Sequence, residues 1–204
     1  MLVYATRVPI SVVTPAELVL KEIEEIGEKN FIPVIGPKKG KLLDAVVRRT
    51  KPKLVLEVGT FIGYSAIRMA RLMPDRSKII TLEINKTSAD MAKENIEKAG
   101  FSDRVRIIRG DAKRIIPTLD GVFDLLFLDA EKDEYLTYLR SAERRLRKGS
   151  VVVGDNVGVF ANEMADYLSY VRTSGRYRSK CHESTLEFND DIKDAVEVSV
   201  KLFP

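Results

Sequence analysis

The sequence predicts an α/β fold with a Rossmann-like, doubly wound and mostly parallel sheet of seven strands, and three observations support this prediction. Five short, nearly continuous apolar runs alternate with longer helical stretches between residues 51 and 174. These runs lack the strict alternation of apolar and polar residues, which is typical of strands that helices cover on both faces. Near the C-terminal end two strand-like runs follow each other directly, which predicts an antiparallel hairpin added to the sheet.

The predicted elements follow one another in a regular order. Ahead of the sheet, PAELVLKEIEEIGEKN predicts an amphipathic helix with Thr14 as its cap and Pro15 in its first turn, and KKGKLLDAVVRRT predicts a second helix that ends before Pro52. The strand and helix pairs that follow are KLVLEVG with GYSAIRMARLM, KIITLEI with KTSADMAKENIEKAG, RVRIIRG with DAKRIIPTL, VFDLLFLD with EKDEYLTYLRSAERRLRK, and SVVVGDN with NEMADYLSYVRTS. STLEF and DAVEVSVKLF form the predicted hairpin. We therefore expect one domain over residues 1–204, with a helical extension over 1–50 and a cofactor-binding core over 51–204.

The composition is typical of a globular cytoplasmic protein. The 204 residues are 45% hydrophobic and 31% charged, and the formal net charge of +4 does not by itself indicate a nucleic-acid-binding protein. No apolar run approaches the roughly 20 residues that span a bilayer, so we expect no membrane partner. The single cysteine, Cys181, excludes an intramolecular disulfide and is consistent with a reducing compartment.

One local cluster of positive charge has two interpretations. Arg172, Arg176, Arg178 and Lys180 lie within nine residues that contain no acid. The first interpretation is a solvated loop that follows a helix, and the second is a surface for an anionic substrate or RNA. The sequence alone leaves both open.

Polar residues at the carboxyl ends of the predicted strands indicate a nucleoside site, because ligands of open α/β sheets bind beyond those ends. In LEVGTFIGYS, Gly59 would let the backbone approach a ligand and Gly63 would permit a tight turn. The second strand ends in Glu83, which suits ribose hydroxyls, and the third ends near Asp111, which can accept a hydrogen bond from an adenine amino group. Because the GxGxxG phosphate motif is missing, S-adenosylmethionine matches this pattern better than a nicotinamide dinucleotide. Each acid could alternatively be a helix cap.

The next two predicted strands end in hard oxygen ligands. Asp129 closes the run FDLLFLD, and Asp155 and Asn156 close SVVVGDN. Adjacent parallel strands would place these side chains together, and two carboxylates with an amide carbonyl suit Mg²⁺. Lys132, three residues after Asp129, adds an amine at the same place. The alternative is that Asp129 caps the following helix and that Asp155 and Asn156 form an Asx turn.

Several stretches in unbroken order resemble the Mg²⁺-dependent, S-adenosylmethionine-dependent catechol O-methyltransferases. They extend from about residue 15 to residue 201 and are GPKKGKLLDAV, LEVGTFIGYSAIRMARLM, IITLEIN, LLFLDAEKDEY, LRKGSVVVGDNV and STLEFNDDIKDAVEVSVK. The resemblance thus covers a whole domain and not a single motif. It implies the class I methyltransferase fold, O-methylation of a catechol-like phenolic small molecule, and S-adenosylmethionine and Mg²⁺ as cofactors. It also implies a monomer or a homodimer.

For the cofactor, the resemblance implies contacts spread over neighbouring strand ends. The residues that would contact S-adenosylmethionine are Ile35, Glu57, Gly59, Thr60, Ser65, Glu83, Asp111, Ala112 and Asp129. Within this set, Glu83 would hold the ribose, and Asp111 and Ala112 would lie at the adenine.

For the reaction, the resemblance implies three kinds of group at the same edge of the sheet. Asp129, Asp155 and Asn156 would hold the metal. Lys132 matches the general base of the family and would contact the acceptor, as would Asn156. Glu187 matches a carboxylate that binds the second hydroxyl of a catechol. A neutral hydroxyl is a poor nucleophile, so a metal ion that lowers its pKa and a lysine that takes its proton would both favour methyl transfer.

Five positions depart from the family pattern around the acceptor. Glu131 stands where a bulky aromatic residue precedes the lysine, and Ala130 replaces a histidine beside the metal-binding aspartate. Phe31 and Pro33 replace residues of the N-terminal wall, and Phe160 replaces a proline. The walls of the pocket differ while the reactive residues are kept, which leaves the natural acceptor open.

Two further functions also stay open. The same residues could methylate a hydroxylated base in tRNA, an alternative that only the basic cluster supports and that predicts salt-sensitive RNA binding. From a different class, the chain could be a non-catalytic cofactor-binding module. The metal-binding trio and Lys132 disfavour this last alternative, because a module that only binds needs neither.

Overall fold

The computed structural model describes residues 13–204, and these form one mixed sheet of seven strands. The strands are β1 (Leu54–Val58), β2 (Lys78–Glu83), β3 (Val105–Arg109), β4 (Phe123–Leu128), β5 (Leu146–Gly154), β6 (Tyr177–Leu186) and β7 (Asn189–Lys201). Their order across the sheet is β3-β2-β1-β4-β5-β7-β6. Strands β1 to β5 run parallel, and β7 pairs antiparallel with both β5 and β6. The predicted fold class is therefore confirmed, including the C-terminal hairpin.

Helices cover both faces of the sheet. They are α1 (Pro15–Lys29), α2 (Gly36–Thr50), α3 (Tyr64–Ala70), α4 (Lys86–Lys98), α5 (Ala112–Ile115), α6 (Tyr135–Ala142) and α7 (Ala165–Thr173). Val55 and Phe127 belong to the buried cluster formed with α1 to α4, whereas Leu56 and Leu128 belong to the cluster formed with α5 to α7. The central strands β1 and β4 are thus buried on both faces, which explains their nearly continuous apolar sequences. Within residues 13–204, none of the helices has the length and apolar character needed to cross a bilayer.

The two N-terminal helices form where the sequence predicts them. Thr14 caps α1, because its Oγ1 accepts a hydrogen bond from Glu17 N at 3.2 Å while the Glu17 carboxylate accepts one from Thr14 N at 2.8 Å. This reciprocal capping box satisfies two donors that the first helical turn leaves unpaired. Helix α2 then begins directly after Ile35, which places the start of this helix near the candidate site described below.

The helix predicted over residues 131–148 is shorter than expected. A 3-10 turn, Lys132–Glu134, precedes α6, and α6 ends at Ala142. Beyond that end, Lys201 Nζ donates hydrogen bonds to the carbonyl oxygens of Glu143 at 2.9 Å and Leu146 at 2.7 Å. A second 3-10 turn, Glu143–Arg145, follows α6, and β5 then begins at Leu146, earlier than predicted. Lys201, which binds these carbonyls, lies far away in the sequence, and local patterns cannot reveal such a partner.

The basic cluster is only partly a loop, with Arg176 in the exposed turn between α7 and β6. Arg172 lies in α7 and donates hydrogen bonds of 3.1 and 2.7 Å to the buried carboxylate of Glu197. Arg178 and Lys180 lie in β6, which begins at Tyr177. The loop is shorter than expected because β6 pairs with β7 along its whole length, so the hairpin extends well beyond the run STLEF.

Arg68 connects the N-terminal helices to the rest of the core. Its buried guanidinium donates to the two oxygens of Asp44 at 2.9 and 3.0 Å and to Tyr64 Oη at 2.8 Å.

The Arg68→Met variant tests this role. Of the described side chains that bind Asp44, this variant keeps only Arg71, so we expect the free energy of unfolding to fall by about 2 to 3 kcal/mol in urea denaturation. The exposed Arg76→Met should change it by less than about 0.5 kcal/mol. Equal losses in the two variants would contradict this account of Arg68.

Candidate active site

The carboxyl ends of the parallel strands lie side by side, and backbone hydrogen bonds hold them there. Gly110 N donates to Glu83 O at the end of β2 (2.8 Å), and Gly59 N donates to the carbonyl of the residue before Glu83 (3.0 Å). Asp129 N donates to the last residue of β1 (2.9 Å), and Asp155 N donates to the last residue of β4 (3.0 Å). The strand ends that carry Glu83, Asp129 and Asp155 therefore form one continuous edge of the sheet.

Gly59 marks a very close approach between two of these strand ends. Its φ is +97°, and a Cβ atom at this position would lie 2.0 Å from the carbonyl oxygen of Asp129. Only glycine allows the two backbones to come this close. The loop after β1 therefore lies directly against the loop that carries Asp129 and Ala130.

The residues after β1 form a buried polar pocket. Glu57 is fully buried, and its Oε1 accepts a hydrogen bond of 2.5 Å from Ser65 Oγ. Within the described part of the chain its Oε2 accepts none. Burial raises the pKa of Glu57 to about 7, although the hydrogen bond from Ser65 opposes this shift. Thr60 is also buried, with its Oγ1 2.6 Å from Thr81 Oγ1 in β2. A buried carboxylate with an unpartnered oxygen suits a cationic group of a ligand.

Two predicted cofactor residues also bind nearby backbone groups. Glu83 accepts hydrogen bonds from the N–H groups of Phe61 and Asn85, both at 2.8 Å, and so joins the loops after β1 and β2. Asp111 accepts one at 2.9 Å from the N–H two residues on and caps α5, whose first residue is the buried Ala112. The helix-cap alternative therefore holds for Asp111. A carboxylate that accepts one or two bonds keeps lone pairs for a ligand.

Lys132 lies in the 3-10 turn that follows β4. Its Nζ donates to Asp129 Oδ1 at 3.0 Å and to Tyr135 Oη at 3.1 Å, and Tyr135 Oη donates to Asp155 O at 3.2 Å. The side chains of Lys132 and Asp129 are each 16% exposed, and Nζ lies 6.0 Å from the centre of the Phe160 ring. The end of β4 thus presents a carboxylate and an amine together, still accessible to a ligand from solvent.

A second group of side chains surrounds the ammonium of Lys39. The Nζ atom lies 2.9 Å from Oδ1 and 3.0 Å from Oδ2 of Asp155 and 2.6 Å from Asp194 Oδ2, and it also donates to Glu187. Asn156, whose φ of +58° turns the chain sharply after β5, donates from Nδ2 to Glu187 and Asp194, both at 3.0 Å. Because Nδ2 is occupied by these two bonds, the Oδ1 atom of the same amide is the atom of Asn156 that can bind a cation.

Burial and charge act in opposite directions on this cluster. Burial raises the pKa of Asp155 well above its usual range, and the positive charge of Lys39 opposes that shift. Burial alone would lower the pKa of Lys39, but the carboxylates of Asp155 and Glu187 hold it above its usual value. The ionised carboxylate of Asp155 and the ammonium of Lys39 therefore stabilise each other.

The donor atoms at this edge of the sheet suit a hard divalent cation. In residues 13–204, the acids whose ligand atoms lie within 4.8 Å of one another are Asp155, Glu187 and Asp194. The predicted metal set shares only Asp155 with this group, and Asp129 pairs with Lys132 instead. Asp155 Oδ1 is buried, and its contact among the described residues is the Lys39 ammonium 2.9 Å away, so this carboxylate oxygen keeps a lone pair for an ion. The residues fit Mg²⁺, and its ligation by Asp129, Asp155 and Asn156 stays a prediction.

The remaining residues predicted around the cofactor and the acceptor differ in their burial. Ile35 is buried at the start of α2, and together with Glu187 it lines a cavity of about 260 Å³. Phe160 is half-buried beside the lysine amine, whereas Phe31 and Glu131 are exposed. A larger cavity of about 850 Å³ lies against β3, and none of the predicted site residues lines it.

Sequence reasoning missed Lys39, Asp194 and Tyr135. Lys39 shares the buried face of α2 with Leu43 and Val46, and a charged residue at an apolar helical position is a signal that could have identified it. Tyr135 stands three residues after the predicted base, which is one turn along a helix. Asp194 carries no such signal, because it ends the mostly charged run over residues 190–194.

Comparison with known proteins places this geometry among methyltransferases. Residues 10–204 match the family model described as O-methyltransferase. Catechol O-methyltransferase B of Danio rerio is 42% identical over 175 residues, which are 82% of this chain and 65% of that protein. Catechol O-methyltransferase of Mus musculus is 39% identical over 180 residues, which are 85% of this chain and 67% of that protein. The chain thus spans about two thirds of the length of these relatives.

A solved structure supports the same relationship at the level of the backbone. The O-methyltransferase from Bacillus cereus in complex with SAH aligns with a TM-score of 0.80 and 26% identity, over 97% of this chain and 95% of that chain. The resemblance that the sequence motifs predicted is therefore confirmed.

Proposed function

Because the chain belongs to the O-methyltransferase family, we propose that it transfers the methyl group of S-adenosylmethionine to a hydroxyl of a catechol-like small molecule. One observation carries this proposal: Lys132 Nζ lies 3.0 Å from Asp129 Oδ1 at the end of β4, beside the residues that follow β5. This places an amine that can accept a proton next to oxygen atoms that can hold a metal ion and a chelating acceptor.

The cofactor would occupy the row of strand ends that begins at β1. Glu57 offers its unpartnered oxygen to the cationic end of the cofactor, beside Gly59, Thr60 and Ser65. Further along the edge, the ribose would meet Glu83, and the adenine would meet the loop that starts at Asp111 and Ala112. Ile35, at the start of α2, would close the methionine side.

The reaction residues have complementary roles. When bound, S-adenosylmethionine supplies a methyl group on a positively charged sulfur, and Asp129, Asp155 and Asn156 would hold Mg²⁺, whose charge would make an acceptor hydroxyl more acidic. Lys132 takes the proton of that hydroxyl at Nζ. Glu187 accepts a hydrogen bond from the neighbouring hydroxyl and so fixes the orientation of the acceptor, which supports the transfer by reducing its freedom.

The pH dependence of cofactor binding follows from Glu57. Its pKa of about 7 means that the carboxyl is largely neutral at pH 6 and ionised at pH 8. Only the ionised form attracts a cationic ligand, so binding should strengthen as pH rises. We expect S-adenosylhomocysteine, which keeps the cationic amino group, to bind about tenfold more weakly at pH 6 than at pH 8 in calorimetry with chelator present.

The Glu57→Gln variant provides the control for this prediction. It should bind the same ligand more weakly and with no change between pH 6 and pH 8. If the variant keeps the pH dependence of the wild type, another group causes it and the role given to Glu57 is wrong.

The acceptor is tested with labelled S-adenosylmethionine and Mg²⁺. A panel of catechols, matched monophenols and bulk tRNA are incubated separately, and the products are identified by mass spectrometry. The proposal predicts mono-methylated catechols, with much less transfer to monophenols because they lack the second hydroxyl. Transfer to tRNA alone would overturn the small-molecule acceptor. Cofactor binding without any transfer would support the non-catalytic alternative.

The structure offers little support for the tRNA alternative. Arg178 lies nine residues before Glu187 on the same extended hairpin, which corresponds to about 30 Å at 3.3 Å per residue. Arg172 is already paired with Glu197. The basic cluster is therefore remote from the residues proposed to carry out the reaction.

A further inference from the structure

Lys39 is an unusually placed lysine. It is 2% exposed, and its ammonium contacts carboxylates from three separate parts of the fold. Asp155 follows β5, Glu187 lies in the turn between β6 and β7, and Asp194 lies in β7. A lysine on the buried face of a helix is costly unless its charge is fully compensated, and these three contacts compensate it.

The contacts of Lys39 connect two groups that have different roles in the proposed reaction. Asp155 belongs to the metal side, and Glu187 belongs to the acceptor side. Lys39 binds both of them directly, and Asn156 Nδ2 adds a link from the metal side to Glu187 at 3.0 Å. The separation between the carboxylates of Asp155 and Glu187 therefore depends on this ammonium. The orientation of an acceptor with two hydroxyls depends in turn on that separation.

Lys39 also occupies the centre of a potential cation site. The ligand atoms of Asp155, Glu187 and Asp194 lie within 4.8 Å of one another, which is the arrangement that would bind a divalent cation if the lysine were absent. The ammonium therefore supplies the positive charge that the three carboxylates require.

We propose that Lys39 is a positioning residue that holds Asp155 and Glu187 at a fixed separation and excludes a divalent cation from the site formed by Asp155, Glu187 and Asp194. The part that concerns acceptor orientation rests on the proposed function. The part that concerns cation exclusion does not, and it can be tested without turnover.

The first test counts bound Mn²⁺ per chain by calorimetry and electron paramagnetic resonance. Lys39→Met keeps the length of the side chain and removes its charge, and Lys38→Met is the matched control on the same helix, with a side chain that is 56% exposed. We expect Lys39→Met to bind one Mn²⁺ more than the wild type, and its melting temperature to rise more on Mn²⁺ addition. Lys38→Met should match the wild type. An unchanged stoichiometry in Lys39→Met would overturn cation exclusion.

The second test uses an unsymmetrical catechol, which yields two mono-methylated isomers. Loss of a fixed orientation should move the isomer ratio towards one and lower kcat by about tenfold to a hundredfold, while Lys38→Met keeps both values. A residue that only stabilises the fold would lower the amount of active protein without changing the isomer ratio. An unchanged ratio in folded Lys39→Met would overturn the positioning role.

A double variant covers the case in which Lys39→Met does not fold. Adding Asp194→Asn removes one of the carboxylates that the ammonium compensates, so the double variant should fold more readily and still lack the lysine. Its isomer ratio should change as described, and it should gain no Mn²⁺ site, because only two carboxylates remain. A wild-type ratio in this variant contradicts the proposal. If the wild type transfers no methyl group to any catechol, the proposed function fails, and the Mn²⁺ count still decides cation exclusion.

Discussion

Replacement of Lys132 by methionine is expected to lower kcat for methyl transfer by about 10² to 10⁴, the usual contribution of a general base. Its Nζ lies 3.0 Å from Asp129 Oδ1 and 3.1 Å from Tyr135 Oη, so two neighbouring side chains fix the position of the amine. Methionine keeps much of the packing against Phe160 and removes the amine. The measurement is the steady-state rate with saturating S-adenosylmethionine, catechol and Mg²⁺.

Two further variants separate proton transfer from other effects of Lys132. Lys132→Arg keeps a positive charge but cannot act as a base at neutral pH, so it should stay impaired. Lys148→Met, at an exposed position at the opposite end of the sheet, should have the wild-type rate. Near-normal activity in Lys132→Arg would show that charge alone is needed and would contradict the role as base.

The Gly59→Ala variant is expected to lower the free energy of unfolding by about 2 to 5 kcal/mol. Two costs combine at this position, because φ is +97° and the new Cβ would lie 2.0 Å from Asp129 O. The left-handed backbone costs about 1 to 2 kcal/mol, and the overlap with a backbone atom costs about 1 to 3 kcal/mol or more. Urea denaturation monitored by circular dichroism measures the change.

Gly149→Ala is the matched control for the backbone contribution. Gly149 also has a positive φ, of +88°, but a Cβ there would meet nothing within 4 Å. Its loss should therefore be about 1 to 2 kcal/mol. If the two alanine variants lose the same amount, the close approach between the loops after β1 and β4 does not contribute, and the position given to Asp129 loses its support.

The row of strand ends could be predicted because it follows from local patterns and one topological rule. A buried strand gives a continuous apolar run, and the polar residue that ends the run must lie at the edge where parallel strands bind ligands. Glu83, Asp129 and Asp155 were identified in this way. Their relative positions follow from parallel pairing alone, which the sequence pattern already implies.

The cluster around Lys39 could not be predicted by the same reasoning. Lys39 lies 116 residues from Asp155 and 155 residues from Asp194 in the sequence. These contacts exist because β7 inserts between β5 and β6, and the resulting hairpin carries Glu187 and Asp194 back to the site. The apolar helical position of Lys39 could have indicated that it is buried, but only the three-dimensional arrangement reveals which carboxylates it contacts.

The dependence of methyl transfer on a divalent cation tests the central claim most directly. The wild-type protein is freed of metal with chelator, and the rate of catechol methylation is followed while Mg²⁺ is added back. The account predicts no transfer in chelator and a saturable recovery with Mg²⁺, while binding of S-adenosylhomocysteine stays unchanged throughout. An undiminished rate in chelator would contradict it, because Asp129, Asp155 and Asn156 would then have no metal-binding role in the reaction.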